Sequence, residues 1–363
     1  MGDYISNDLM VDVIERLPPK SIIRFRSLSK YWHSRIATPE FVRNHRLRRS
    51  KKPHKLIIRH LIYCGKYKFK SIYTLHSGDQ LPGCGYIGNP GVEFPYPRRA
   101  NELVGSCNGI LCLYNKEISL WNFSIRRRLV MPRRPHMKSS ALGFGFDSVT
   151  DDYKIVVISD SDTLIYSLKT DSWTAIPSPS IPFYDLKWKA CFFNGILHWV
   201  VDGNVNEQES SRFILTFNLS SHVFGKILLP ESLGMIRQLT TINGCLALVF
   251  SNGIDTLNIL TMKEYNKLES WYVSFEFKIK GRDVFRVFQH ITNADLLVYN
   301  DGSRIYDPKT MALTELARFG PDYIKLEMET YIESLELLDK NRATTCGETI
   351  FSWTKTDNRK GIP

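Results

Sequence analysis

The chain has 363 residues, 43% hydrophobic and 12% aromatic, with a formal net charge of +11. That much apolar material builds at least one full core, which excludes a disordered chain and a disulfide-stapled miniprotein. The longest apolar runs, such as 155–158 and 245–250, fall far short of the ~20 residues of a membrane-spanning helix. The first eight residues carry neither the basic cluster nor the apolar stretch of a secretory signal, so cytoplasm or nucleus is the expected location.

The charge is unevenly placed. Residues 1–70 hold 17 basic and 5 acidic side chains, whereas 71–363 hold 31 and 32. Two differently built regions therefore share the chain. Seven cysteines lie scattered among apolar residues without a CxxC pair or clustered histidines, which reads as reduced core thiols. Asn122-Phe-Ser124 and Asn218-Leu-Ser220 match the N-glycosylation pattern, which is chemically idle outside the secretory route.

Residues 6–47 lack glycine and show helical periodicity. A first helix is expected from a Ser6 or Asn7 cap, with Leu9, Val13, Ile14 and Leu17 on one face, ending before Pro18-Pro19. Pro19 then fits the first turn of a second helix striped with Ile22, Ile23, Phe25 and Leu28. Ser29 caps a third, short helix that carries Tyr31, Trp32 and Ile36. Some 40 residues cannot build a self-sufficient core, so part of this apolar surface belongs to a partner or to the next domain.

The run Ile5-Ser-Asn-Asp-Leu-Met-Val-Asp-Val-Ile-Glu-Arg-Leu-Pro-Pro-Lys-Ser-Ile-Ile-Arg-Phe-Arg-Ser-Leu-Ser-Lys-Tyr-Trp32 resembles an F-box of the plant type over roughly residues 5–45. The resemblance implies binding to the Skp-type adaptor of an SCF ubiquitin ligase, and through it to cullin and RING subunits. It assigns Ile5, Leu9, Val13, Leu17, Pro18, Leu28 and Trp32 to the adaptor-facing surface or to its support. Where the family opens with Leu-Pro, this chain has Ile5-Ser6, and loss of the proline's fixed φ is expected to loosen the helix start. The basic run Arg43–Lys55 reads as a solvated helix end and linker complementary to an acidic adaptor, with nuclear import or phosphate binding as the alternative.

From about residue 55 a unit of four short strands recurs. Its third strand is marked by Trp121, Tyr166, Phe217, Ile259 and Tyr306, at separations of 45, 51, 42 and 47 residues. That period is the length of a four-stranded propeller blade. Asn108-Gly109, Asn194-Gly195, Asn243-Gly244, Asn252-Gly253, Asp202-Gly203 and Asp301-Gly302 supply two-residue hairpin turns. Fourth strands end at Pro132, Pro177 and Pro230, as edge strands do. Strands at 56–63 and 72–75 open the first unit, and 331–338 with 349–353 close the last. The two chain ends are thus expected to share a blade, which gives six blades, although length alone also allows seven.

Ser106-Cys-Asn-Gly-Ile-Leu-Cys-Leu113, Leu142-Gly-Phe-Gly-Phe-Asp-Ser148 with Asp151-Asp-Tyr-Lys-Ile155, and Tyr331-Ile-Glu-Ser-Leu335 resemble the F-box-associated, kelch-like domain of plant F-box proteins. The expected architecture is α plus all-β: a three-helix F-box (1–45), a basic linker (46–55), a kelch-like β-propeller (56–355) and a tail (356–363). Phe144, Phe146, Tyr153, Phe192, Phe193, Trp199 and Phe250 read as core between blades, and Gly143-Phe-Gly145 as close backbone packing.

No metal, nucleophile or acid–base set converges in the sequence, and no cofactor is expected. Asp160-Ser-Asp162 reads as a polar loop tip. Arg126, Arg127 and Arg128, with Arg133 and Arg134, are candidates for a target-binding patch on one rim beside Arg98-Arg99, because arginine pairs bidentately with carboxylates. The loops 78–97, 178–184 and 203–211 are the other candidate target surface. The expected function is a non-catalytic substrate receptor of an SCF-type ligase that holds a target protein, with no membrane or nucleic-acid partner. The alternatives are an F-box protein that sequesters a partner outside a ligase, or a lectin-like propeller.

Overall fold

The computed structural model describes residues 6–52, 54–63, 65, 69–77, 91–93, 102–132, 141–181, 186–203, 212–231, 233–253, 256–278, 285–289, 296–300, 304–307, 312–315, 323–346 and 350–351. The N-terminal module has four helices rather than three: α1 (Asn7–Glu15), α2 (Pro19–Phe25), α3 (Lys30–Ile36) and α4 (Pro39–Arg49). The fourth takes up residues 46–49 of the expected linker. Thr38 caps it by accepting from Phe41 N at 3.3 Å, Pro39 occupies its first turn, and Glu40 meets the positive end of its dipole. The other starts follow the expected chemistry, and Ser29 Oγ accepts from Trp32 N at 3.3 Å. Of the two caps expected for α1 it is Ser6 that serves, its Oγ accepting from Leu9 N at 3.4 Å.

The described strands form six sheets. Five are built around strands consecutive in sequence, within 102–130, 141–177, 191–228, 235–278 and 285–315, and are numbered blades 1 to 5 here. The sixth sheet is composite: Lys55–Tyr63, Phe69–Ser77 and Gly91–Glu93 are joined by Tyr323–Tyr331 on one side and Ile350–Phe351 on the other. The innermost strands, Tyr323–Tyr331, Glu102–Cys107, Ala141–Asp147, Cys191–Phe193, Met235–Ile242 and Phe285–Gln289, stand side by side in that order. The architecture is a β-propeller, with the first and last described strands in one sheet. All five register residues fall on third strands, as their pairings Trp121↔Arg128, Tyr166↔Trp173, Phe217↔Phe224, Ile259↔Phe275 and Tyr306↔Leu313 show.

Three of the expected hairpin turns have both residues in the left-handed region: Asn108-Gly109 (φ 48° and 81°), Asn194-Gly195 (49° and 76°) and Asn243-Gly244 (50° and 70°). That is the geometry a two-residue turn needs to match strand twist. At Asn252-Gly253 only the glycine has positive φ, and neither residue of Asp202-Gly203 does. The latter opens a longer connection to Phe213–Asn218. Asp301-Gly302 lies outside the described residues. A second turn class went unread in the sequence: Arg126, Asp171, His222 and Asn266 carry positive φ between the third and fourth strands of successive blades. Asn122 and Asn218 organise two of these turns, each accepting from the backbone N–H groups two and three residues on. The two glycosylation-like triplets are therefore turn motifs, and Asn122 is fully buried.

Blades pack through the expected aromatics. A Cβ on Gly143 would meet Leu197 and Trp199 at 2.7 Å, and one on Gly145 would meet Phe192 at 2.3 Å, so both glycines admit the next blade. Beside them Asp147 accepts from Lys154 Nζ at 2.9 Å and from Ser220 of the neighbouring blade. Lys154 Nζ also donates to Leu219 O at 2.6 Å. Burial works against the charge on Asp147, but hydrogen bonds from Ser220, Thr150 and Lys154 hold its carboxyl well below the usual range.

The expected closing strand at 331–338 ends where it was to begin, because Tyr331 is the last residue of Tyr323–Tyr331. Residues 332–343 leave the sheet and fold across blade 1. Tyr331 Oη accepts from Ser124 N at 3.0 Å and donates to Asn122 Oδ1 at 3.2 Å. Asn122 Nδ2 donates to Ser334 O at 3.0 Å and Glu336 O at 2.9 Å. A side chain at Gly109 would strike Ile332 O at 2.3 Å, which joins the first and last of the quoted motifs. Tyr331→Phe leaves buried polar atoms of this clasp short of a partner and is expected to cost about 1–3 kcal/mol, read as a lower urea midpoint with unchanged slope.

Candidate functional site

The helices divide their side chains between a floor and an outer face. Ile14, Ile22, Ile36, Phe41 and Val42 form one buried cluster with Ile125, Leu335 and Leu338 of the propeller. The helical module thus completes its core on the domain that follows. Glu15 is buried and accepts from Arg48 Nε at 3.0 Å and Asn44 Nδ2 at 3.3 Å, while Asp12 accepts from Arg48 at 2.6 Å, which clips α1 to α4.

This clip splits the expected single face of α1. Ile14 points in, whereas Leu9 and Val13, one turn apart, are 61% and 58% exposed. Leu28, in the link between α2 and α3, is 65% exposed, and Pro18, which caps α2, is also exposed. Leu17 and Trp32 are half-buried and pack on the module's core. Ile5 lies outside the described residues. Tyr31, placed on the third helix by the sequence but outside the adaptor-facing set, is 48% exposed and meets Trp32 edge to face at 5.1 Å. Its place beside Trp32 was the available signal. Arg26 braces the corner beneath by donating to His33 O at 3.4 Å. The outcome is a set of large apolar side chains left in water on an otherwise charged module, a surface of the kind partners cover.

The basic run is not a solvated linker. Arg48 serves α1, and Arg46 and Arg49 turn inward to carboxylates of the propeller. Lys51 and Lys52 remain exposed. The arginines placed on a rim are half-buried as well. Arg126 lies 4.1 Å over the Phe123 ring, Arg127 donates to Lys340 O at 3.0 Å, and the strand that carries Arg127 and Arg128 pairs with Thr344–Thr345. They hold the C-terminal segment in place. Arg98, Arg99, Arg133 and Arg134 lie outside the described residues, as do most of the loops 78–97, 178–184 and 203–211.

Among the described residues no three or more His, Cys, Asp or Glu side chains gather as a metal site, and no helix is long and apolar enough to cross a membrane. The five described cysteines are free, and burial pushes the thiols of Cys107 and Cys191 up to about 12. Asp160 is an exposed turn residue whose neighbour Ser159 bonds Asp162 O at 2.8 Å.

One titratable group sits under the outer face. His45 of α4 is buried with Nε2 3.2 Å from Leu17 O, and burial presses its imidazole down to about 4. A histidine whose folded pKa is depressed stabilises the fold above the unfolded value of ~6.5 and loses that contribution as pH falls towards 4. Between pH 7 and 5 this share is about 1–2 kcal/mol. His45→Gln, which keeps a donor for Leu17 O, is expected to shrink the acid-induced loss of stability by that amount in urea titrations at the two pH values.

Comparison with known proteins agrees with the geometry. The F-box domain family matches residues 5–44, and the family described as F-box associated beta propeller domain matches 97–305. Similar chains from Arabidopsis thaliana include At5g15660, 25% identical over 80% of this chain and 69% of that one. They also include F-box/kelch-repeat protein At3g23880, 26% identical over 73% and 77%, and F-box protein CPR1, 27% identical over 74% and 71%. The crystal structure of TolB from Acinetobacter baumannii, 12% identical, superposes with a TM-score of 0.47 over 76% of this chain and 66% of that one, too loosely to bear on function. The propeller match alone covers more than half of the chain and the F-box match lies on the helices: the chain belongs to the F-box proteins that carry an F-box associated β-propeller domain.

Proposed function

We propose that the protein is a substrate receptor of an SCF-type ubiquitin ligase, acting in the cytoplasm or nucleus. The helices take a Skp-type adaptor, the propeller takes a target protein, and the ubiquitin chemistry is done by other subunits. The supporting observation is the two-sided helical module: one face is sealed onto the propeller, while Leu9, Val13 and Leu28 stand in water at F-box positions. Ile5 and Pro18 belong to the same adaptor-facing set, and Leu17 and Trp32 support it from within. The six described sheets are read as six blades of one ring, the composite sheet closing it. The mechanism is proximity, since a bound target has its lysines held near the charged conjugating enzyme at a high effective concentration.

Leu9 and Val13 are exposed, so Leu9→Asp with Val13→Asp alters the outer face without touching the floor. Loss of two apolar contacts of about 1.5 kcal/mol or more each is expected to weaken adaptor capture by about 100-fold or more at an unchanged melting temperature. Leu17→Asp, by contrast, places a charge against the module's core and is expected to lower the melting temperature too. Undiminished capture by the double variant would refute the assigned face. Absence of adaptor capture by the unaltered chain would shift the reading to an F-box protein that sequesters its partner outside a ligase.

A further inference from the structure

The helical module meets the propeller through one side chain more than any other. Arg46, from the last two turns of α4, is 11% exposed and lies across the boundary. Its guanidinium donates to Asp151, to Glu336 Oε1 at 3.3 Å and to Tyr153 Oη at 3.5 Å, and stacks over the Phe146 ring with its carbon 4.4 Å from the centroid. These partners come from separate parts of the propeller: the inner strand of blade 2, the turn after it, the following strand, and the C-terminal segment that crosses blade 1. One planar fork therefore fixes position and angle together, which a lysine's point charge does not do.

The surroundings reinforce this. One turn on, Arg49 donates to Glu333 Oε2 at 3.2 Å, and Lys55, at the start of the first strand, meets the same carboxylate at 2.7 Å. Arg43 stands 4.0 Å from Asp151. Beneath lies the apolar floor of Ile36, Phe41, Val42, Ile125, Leu335 and Leu338. Burial pushes the Glu336 carboxyl up to about 7, against the pull of Arg46, so this carboxylate depends on the arginine for its charge.

We infer that Arg46 is a positioning residue that locks the helical module onto the propeller at one angle, with Arg49 as its second point of attachment, so that the outer face of α1 and the target-binding propeller move as one body. Its value for ubiquitin transfer rests on the receptor reading above. The lock itself does not, because it is a property of the free chain.

The test uses the full chain. Native-state trypsin cleavage after Lys51, the bond after Lys52 being protected by Pro53, hydrogen exchange of the α4 amides and small-angle scattering report the boundary, while tryptophan fluorescence reports propeller melting. Arg46→Leu is expected to speed cleavage and α4 exchange by about tenfold or more and to broaden the scattering-derived size distribution, with the propeller transition kept. Arg46→Lys, which retains the charge but not the fork, is expected to fall between. Asp151→Asn with Glu336→Gln alters only the propeller side at constant shape and is expected to reproduce the loosening. Adaptor capture should survive in every variant, since none touches the outer face. Unchanged cleavage and exchange in both the Arg46→Leu and the Asp151→Asn/Glu336→Gln chains would overturn the inference. So would an acceleration matched by an equal drop in propeller stability, which is what general destabilisation produces. If the unaltered chain captures no adaptor, the receptor reading fails and the cleavage ratio still decides the lock.

Discussion

Everything in this molecule hangs on the antiparallel seam between Lys55–Tyr63 and Tyr323–Tyr331, in which Lys55 faces Tyr331 and Leu56 faces Thr330. A ring of blades that is not joined leaves two rows of unpaired backbone groups at its ends, and this seam pairs them. It also sets where the rest of the chain can go. Tyr331, the last residue of the seam, anchors to Asn122 and Ser124, and that anchor lays residues 332–343 over blade 1. Leu335, Leu338, Glu333 and Glu336 then form the floor on which the helices rest. Ring closure and helix docking are successive uses of one contact.

The local chemistry of the chain was legible. Asn-Gly pairs, serine caps and a proline in the first turn of α2 act within a few residues, so their geometry follows from identity. The 42–51-residue recurrence gave the third strands because each blade must present an apolar centre at the same point. The helix α4 was missed although Thr38-Pro39-Glu40 is a helix start, because the charge run that follows suggested a linker. The strand placed at 331–338 failed for a related reason. Tyr-Ile-Glu-Ser-Leu alternates like a strand, yet its polar members are used sideways, on side chains about 200 residues away, a separation that a local pattern does not encode.

The site was legible in its membership and not in its orientation. Periodicity tells which residues of α1 are apolar, but Leu9, Val13, Ile14 and Leu17 look alike until something decides which way the helix is turned. Here Asp12 and Glu15 decide it by pairing with Arg48, sending Ile14 inward and Leu9 and Val13 outward. The arginines taught the same lesson in reverse. Arg46 and Arg127 look like solvated or target-seeking charges in the sequence, and both are spent on partners inside the chain. A net charge measured over a segment says little about the field it presents until its internal pairs are known.

The seam has a consequence for synthesis. Lys55–Tyr63 emerges early and its partner about 270 residues later, so this pairing carries a high loop-closure cost and becomes possible only late in synthesis. Until then the first strands have an open edge and the helices lack Leu335 and Leu338 beneath them. A chain cut short before residue 323 has neither a closed ring nor a seated helical module. Translation through Tyr323–Tyr331 and the segment that follows it is thus the step that completes the seam and seats the helices, and truncated products are marked for disposal by their own exposed apolar surface.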